Sequence, residues 1–86
     1  MTFRNRVVEV FTAPECEDSA ATKKWLIDHE VPFIEKGARL YKDFLLAIGH
    51  YAGTPVVVVY RPGTDYPAHW QGHKERLLEM NLGARK

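Results

Sequence analysis

The strongest constraint on the fold is a run of four valines and a tyrosine at residues 56–60. β-Branched and aromatic side chains favour extended backbone, and Pro55 stands directly before the run, at the edge of a strand where proline is tolerated. The turn-forming residues 62–65, which read Pro-Gly-Thr-Asp, follow closely. We therefore predict a strand over 56–60 and an antiparallel hairpin partner over 66–70.

Strand and helix patterns alternate along the rest of the chain. Residues 7–11 and 32–36 have the composition of short strands, whereas residues 17–29 and 40–48 space their apolar side chains as helices do. Gly72 is expected to begin a last helix. The predicted order is β-α-β-α-β-β-α, an α/β domain in which strands that a helix separates favour parallel pairing.

Each predicted helix has one apolar face that is expected to point to the interior. In the first helix this face consists of Ala21, Trp25, Leu26 and Ile27. In the second it consists of Leu40, Phe44, Leu45 and Ile48, and in the last of Leu77, Leu78 and Leu82. Gly49 directly follows the second helix, where glycine tolerates the left-handed conformation that ends many helices.

A chain of 86 residues is expected to form one domain, residues 1–86, because single domains typically have about 100–150 residues. Residues 83–86 have the composition of a frayed tail. Cys16 is the only cysteine, which excludes a disulfide within the chain and a zinc site made of cysteines alone. The fold is therefore expected to depend on its packed core.

Charge and hydropathy narrow the classes of partner. Twelve basic and eleven acidic residues leave a net charge of +1, which gives no electrostatic basis for binding nucleic acid. The residues before the first strand have neither the apolar segment of a signal peptide nor the length of a membrane span. We therefore expect a cytoplasmic protein that binds no membrane. The spacing of the four histidines matches no standard zinc pattern, so no metal site is predicted.

Cys16 lies where the first predicted strand gives way to the first predicted helix. Unpaired amides and the helix dipole stabilise an anion at that position, so a thiolate is favoured there. Ser19 follows close to one turn later, where its hydroxyl can donate a hydrogen bond to the sulfur. A lone cysteine is also often a small buried hydrophobic residue, so position alone leaves both interpretations open.

Three short motifs occur in a fixed order along the chain. They are Thr-x-Pro-x-Cys from Thr12 to Cys16, the proline Pro55 before the third strand, and Trp-x-Gly from Trp70 to Gly72. Together they resemble the glutaredoxin family of the thioredoxin fold, and in particular the glutaredoxin-like hydrogen donors of ribonucleotide reductase. The resemblance extends from about residue 7 to residue 82.

This resemblance implies a thioredoxin-like four-stranded mixed sheet flanked by three helices, with Cys16 as the attacking thiol. Pro55 would be the cis-proline opposite the thiol, and Thr54 would offer its backbone to an extended thiol substrate. Thr12 and Pro14 would bind substrate as part of the motif that leads into the cysteine.

The resemblance also assigns a role to the end of the chain. Gly72 and His73 would lie where the N-terminus of the last helix faces the ligand. No tightly bound cofactor is implied, and glutathione would enter as a co-substrate.

The sequence departs from the family pattern at the second cysteine of the Cys-x-x-Cys motif, where Ser19 stands. A serine cannot resolve a mixed disulfide, so only a one-thiol route remains. Cys16 would attack a mixed disulfide, and an external thiol such as glutathione would release it. Alternatively, the protein forms a mixed disulfide with a partner and stops there.

Two further departures concern charge. Glu15, Glu17 and Asp18 oppose thiolate formation at Cys16 while the helix terminus favours it, so the sequence leaves the sign of the thiol's pKa shift open. Ala13 stands where family members that bind glutathione often have a lysine, and residues 71–74 lack the two-glycine and aspartate signature that often binds the tripeptide. Both absences count against efficient use of glutathione.

Three functions follow, in order of preference. The first is a monothiol thiol-disulfide oxidoreductase that acts through Cys16 on glutathione-mixed or protein disulfides, with glutathione or thioredoxin reductase as the source of electrons. The second is an iron–sulfur carrier in which two chains and two glutathiones share a cluster, because thiolates ligate such clusters. The third is a redox-inactive binding or regulatory module that keeps the fold.

Overall fold

The computed structural model describes residues 6–50, 53–63 and 65–83. Strands and helices occur in the predicted order, with a 3₁₀ turn before the second helix. Their bounds are β1 Val7–Thr12, α1 Glu17–Asp28, β2 Ile34–Gly37, the 3₁₀ turn Ala38–Tyr41, α2 Lys42–Ala47, β3 Val56–Tyr60, β4 Ala68–Gln71 and α3 Glu75–Leu78, which the π-helical segment Glu79–Gly83 continues. Within the described ranges, no helix is long and apolar enough to cross a bilayer.

The four strands form one mixed sheet in the order β2-β1-β3-β4. β1 pairs in parallel with β2 and antiparallel with β3, and β3 pairs antiparallel with β4 as the predicted hairpin. The predicted four-stranded mixed sheet with three helices is therefore confirmed. Parallel pairing across a helix holds for β1 and β2 only, because α2 carries the chain to the other side of β1, where β3 runs in the opposite direction.

Helices cover both faces of the sheet, so the valine run of β3 is almost wholly buried, with Val56 to Val59 at most 1% exposed. One apolar cluster includes Val8, Val10, Trp25, Leu26, Val57, Val59, Leu78 and Leu82. The cluster on the other face consists of Phe11, Leu45, Val56 and Val58. Alternate residues of β3 thus belong to the two clusters. Because full burial of one such side chain stabilises the fold by about 1.5–3 kcal/mol, this strand helps to hold both layers of helices against the sheet.

Helix α1 packs through one face, and the prediction for that face is partly wrong. Trp25 and Leu26 are buried as expected, whereas Ile27 is 64% exposed. At about 100° per residue, Ile27 lies on the side of the helix away from Trp25. Two polar residues complete the buried face instead, Ser19 at 2% exposure and Thr22 at 0%.

Helix α2 is shorter than its apolar pattern predicted. Leu40 falls in the preceding 3₁₀ turn, whose tighter winding changes the direction of its side chain, and it is 83% exposed rather than buried. Gly49 ends the helix as predicted, with φ of 92°. The amides of Gly49 and His50 donate to the carbonyls of Leu46 and Leu45, both at 3.0 Å, which is the hydrogen-bond pattern of a Schellman motif.

The last helix begins at Glu75, three residues later than the prediction that Gly72 opens it. Gly72 has φ of 94°, outside the helical region, and its amide donates to the Pro55 carbonyl at 2.7 Å. Leu78 and Leu82 are buried as expected. Of the predicted tail, Gly83 belongs to the final helical segment, and residues 84–86 lie outside the described residues.

Candidate active site

Cys16 is the N-cap residue of α1, at the junction where the sequence placed it. Pro14 follows the end of β1 and cannot donate to the sheet, and Glu15 takes the left-handed conformation with φ of 59°. This turn delivers Cys16 to the start of the helix with its side chain half-buried. The unpaired amides of the first helical turn therefore lie next to the sulfur.

Thr54 contacts the sulfur of Cys16 through two atoms. Its hydroxyl donates a hydrogen bond to Cys16 Sγ at 3.1 Å, and its carbonyl accepts one from the thiol at 3.5 Å. The carbonyl contact favours the protonated thiol, whereas the shorter hydroxyl contact favours the thiolate. The Thr54–Pro55 peptide bond is cis, as the family resemblance implied, and Pro55 is buried.

These groups decide the sign of the pKa shift that the sequence left open. The pKa of the Cys16 thiol is lowered from its ordinary value, first by the Ser19 hydroxyl and then by the Thr54 hydroxyl. The backbone amides of Ser19 and Asp18 lower it further, while burial acts in the opposite direction. Ser19 Oγ is buried and has no oxygen or nitrogen partner among the described residues, so its hydroxyl can donate to the thiolate.

The three neighbouring carboxylates do not reverse this result. Glu15, Glu17 and Asp18 are all exposed to solvent, and Glu17 and Asp18 lie in the first turn of α1. Water screens exposed charges, whereas the hydrogen bonds act on the sulfur directly. The carboxylates stabilise the helix terminus and leave the thiolate favoured.

A groove on one side of Cys16, called here the acidic groove, has a volume of about 740 Å³. Its charged lining residues are Glu15, Glu17, Glu35 and Lys23. Glu35 Oε2 accepts from Thr12 Oγ1 at 2.7 Å and from Lys23 Nζ at 3.0 Å, and these two donors lower the pKa of that carboxyl. Thr12 and Pro14, the predicted substrate-binding residues of the first motif, also line this groove.

A second groove, called here the basic groove, has a volume of about 630 Å³. Arg39 and Lys42 provide its cationic side chains, with His50 nearby, and no carboxylate lines it in the described part of the chain. Its apolar lining consists of Ala13, Ala38, Leu45 and Leu46. Thr54 lines it too, and Ala13 lines both grooves, so the two meet beside the contact between Thr54 and Cys16.

Gly72 and His73 were expected to lie where the N-terminus of the last helix faces the ligand, and this stays a prediction. Both directly precede Lys74, the N-cap residue of α3. The amide of Gly72 supports the loop of Pro55. His73 Nδ1 forms a 2.8 Å hydrogen bond with Thr22 Oγ1 on α1, and neither Gly72 nor His73 lines the two grooves.

The sequence interpretation missed three residues of this region. Lys42 follows Arg39 by three positions, a spacing that puts both on one side of a helical turn and that could have shown the cationic surface. Glu35 and its contact with Thr12 depend on the parallel pairing of β1 with β2, which no local motif reports. Thr22 is a buried hydroxyl on a face that was expected to be apolar.

Histidines and carboxylates do not converge on a metal site. His50 Nε2 and His69 Nδ1 lie 2.8 Å apart, and burial, followed by the nearby His69, lowers the pKa of His50. In residues 6–50, 53–63 and 65–83, no group of three or more His, Cys, Asp or Glu side chains is arranged to hold a metal ion.

The chain is similar to known proteins in structure and not in sequence. No protein-family model matches the chain, and no curated protein is significantly similar to it in sequence. The glutaredoxin-like protein NrdH-redoxin from Escherichia coli, described with a thioredoxin-like activity profile, gives a TM-score of 0.69 at 20% identity, over 85% of this chain and 91% of that one.

Two thioredoxins are similar in the same way. Mitochondrial thioredoxin 3 from Saccharomyces cerevisiae gives a TM-score of 0.65 at 15% identity, over 92% of this chain and 77% of that one. The thioredoxin of Plasmodium falciparum gives a TM-score of 0.63 at 14% identity, over 95% of this chain and 83% of that one. These likenesses show that the chain has the thioredoxin-like fold that its motif order implied.

Proposed function

We propose that this protein exchanges thiols and disulfides by a one-thiol route through Cys16. The observation that carries the proposal is the hydrogen bond of 3.1 Å from Thr54 Oγ1 to Cys16 Sγ. Together with the Ser19 hydroxyl and the helix amides, it stabilises the thiolate, which is the form that attacks a disulfide. The thioredoxin-like fold and the grooves on both sides of the sulfur support the same function.

The first step forms a mixed disulfide. The Cys16 thiolate attacks one sulfur of the substrate disulfide, so a bond forms between that sulfur and Cys16 Sγ. The substrate's own S–S bond breaks, and its second sulfur leaves as a thiolate, which takes a proton from water. Thr54 and Ser19 stabilise the charge on Sγ before the attack.

The second step requires a thiol from outside the chain, because Ser19 has no sulfur with which to resolve the adduct. An external thiolate attacks the sulfur bound to Cys16, the mixed disulfide breaks, and Cys16 leaves as a thiolate. The low pKa of Cys16 makes it a good leaving group in this step. Glutathione and protein thiols are both candidates for the external thiol.

A trapping experiment tests the proposal. The reduced protein is mixed with a disulfide-containing peptide, quenched with acid and analysed by mass spectrometry. We expect an adduct at Cys16 that disappears when a small thiol is added, and no adduct with Cys16→Ser. The pH dependence of alkylation should give a thiol pKa below the usual value of about 8.5. A value at or above this level, or no adduct, contradicts the proposal.

A second assay identifies the source of electrons. Reduction of the peptide disulfide is followed in parallel with glutathione and with thioredoxin reductase plus its nicotinamide cofactor. Turnover with one and not the other assigns the physiological class of reductant. Adduct formation without turnover in either reaction would instead favour the alternative in which the protein forms a mixed disulfide with a partner and stops there.

The iron–sulfur alternative stays a prediction of the sequence resemblance. Cys16 is the one cysteine of the chain, so a cluster would need the thiolate of a second chain as well. No described contact favours this arrangement over thiol exchange. Anaerobic reconstitution with iron, sulfide and glutathione that leaves a colourless protein would exclude it.

A further inference from the structure

The two grooves that meet beside Cys16 carry opposite charge. The acidic groove is lined by three carboxylates and one ammonium, and that ammonium, Lys23, is paired with Glu35 at 3.0 Å. Of the other two carboxylates, those of Glu15 and Glu17, neither forms an ion pair with a residue that the structure describes. The basic groove presents Arg39 and Lys42, and no carboxylate lines it in the described residues. A substrate sulfur that reaches Cys16 therefore lies at a boundary between negative and positive surfaces.

We infer that the preferred substrate is a protein disulfide in a segment with acidic residues on one side of the reacting cysteine and basic residues on the other. The acidic side would lie in the basic groove, against Arg39 and Lys42. The basic side would lie in the acidic groove, against Glu15 and Glu17. This inference rests on the proposed function, because it names the substrate of the same thiol.

The size and lining of the grooves favour a chain that passes through the site. Their volumes of about 740 Å³ and 630 Å³ each fall within the range of sites that bind ligands, roughly 300–1,000 Å³. The basic groove is lined by Leu45 and Leu46 as well as by its cations, so it can accept apolar side chains next to acidic ones. A protein segment supplies both kinds of side chain.

The charge asymmetry also favours a protein segment over glutathione as the substrate. Glutathione has a carboxylate at its glycyl end and a carboxylate beside an ammonium at its γ-glutamyl end, so neither end carries a net positive charge to match Glu15 and Glu17. It therefore gains less electrostatic attraction in the acidic groove than a basic segment does. A segment that changes sign at its cysteine meets attraction in both grooves.

Two peptides of identical composition test the inference. One has two aspartates before a central cysteine and two lysines after it, and the other has the reverse order. Each cysteine is activated as a thiopyridyl mixed disulfide. The Cys16 thiolate attacks the peptide sulfur, the S–S bond breaks, and thiopyridine leaves as a thiolate that gains a proton and absorbs light. The rate constant for this release is measured for both peptides at low ionic strength.

We expect one charge order to react on the order of tenfold faster, because an exposed ion pair changes a rate constant by up to about fivefold and several act together. The double variant R39Q/K42Q should reduce the ratio of the two rate constants to roughly threefold, because Glu15 and Glu17 still act in the acidic groove. The matched variant K24Q/R76Q removes the same charge from residues that line neither groove, and it should retain the ratio. Salt should reduce the ratio in the unmodified protein.

The outcomes separate this inference from the proposed function. A peptide with glycines in place of all charged residues reports on thiol exchange alone, and its failure to react with Cys16 overturns the proposed function. Reaction with that peptide but equal rate constants for the two charged peptides overturns the inference only. A thiopyridyl disulfide of glutathione that reacts as fast as the better peptide overturns the assignment to a protein segment.

Discussion

The Thr54 hydroxyl donates a hydrogen bond of 3.1 Å to Sγ of Cys16, a residue 38 positions away in the sequence. The contact joins the loop before β3 to the first residue of α1. It follows that a residue of the loop before the sheet's central valine strand, together with Ser19, lowers the pKa of a thiol at the start of a helix.

Replacing Thr54 by valine tests this relationship. Valine keeps the β-branched shape and removes the donor, so we expect the pKa of Cys16 to rise. Alkylation at neutral pH should slow by roughly threefold to tenfold, the effect of losing one hydrogen bond of about 0.5–1.5 kcal/mol. Thr54→Ser keeps the hydroxyl and serves as the control. Equal slowing in both variants would indicate that shape, and not the donor, matters.

The lowered thiol pKa also predicts how stability depends on pH. Because the folded state binds its proton less tightly than the unfolded chain, the thiolate contributes stability above the unfolded pKa of about 8.5 and loses it as pH falls through the folded pKa. The free energy of unfolding of the unmodified protein, minus that of Cys16→Ser, should therefore increase with pH. Urea unfolding from about pH 6 to about pH 9.5 measures this difference. A difference that is constant or decreases contradicts the pKa direction.

Glu30 offers a test of backbone strain away from the site. It has φ of 58° directly after α1, and its amide and that of Val31 donate to Ile27 and Leu26 in a Schellman pattern. Glycine enters the left-handed conformation without the steric cost that a Cβ adds, so Glu30→Gly should stabilise the protein by about 1 kcal/mol. Thermal or urea unfolding checks this. Glu30→Ala removes the carboxylate and keeps the Cβ, so an equal gain there would assign the effect to charge.

The hydrogen bond between His73 and Thr22 predicts a structural role for His73. Thr22 is 0% exposed, so His73→Ala leaves its hydroxyl buried without a partner and should destabilise the fold by about 1–3 kcal/mol. Thr22→Val in the same background removes the unpaired hydroxyl at nearly constant shape. The double variant should regain part of the loss in urea unfolding. A double variant less stable than His73→Ala would show that the hydroxyl is not left unpaired.

Local signals sufficed to predict the order of the elements. The valines of β3, the apolar spacing of α1 and the glycine after α2 each report on their own neighbourhood, and the strand, the helix and the helix end that they predict are confirmed. A long-range contact explains the error at the start of the last helix. Gly72 was predicted to begin the last helix. Its amide instead donates a hydrogen bond to the carbonyl of Pro55, and α3 begins three residues later.

The site was predictable to the extent that its residues lie in motifs. Cys16 and Thr54 were found from motif order, and the structure brings them into contact. The spacing of Arg39 and Lys42 indicates a cationic surface, but the basic groove was missed because no local signal shows that the fold places them near Thr54. The sign of the thiol's pKa shift needed distances, since exposed carboxylates and a buried hydroxyl cannot be ranked from sequence.

The buried hydroxyl of Ser19 bears on how long a mixed disulfide at Cys16 would last. At the position where a second thiol of the same chain would break the mixed disulfide, this chain has the buried hydroxyl of Ser19, which cannot displace sulfur. Under the proposed one-thiol route, the lifetime of a partner bound to Cys16 would depend on how much free thiol surrounds the protein. A reducing environment would release the bound partner quickly and an oxidising one would retain it, so the occupancy of a single sulfur would record the redox state of its surroundings.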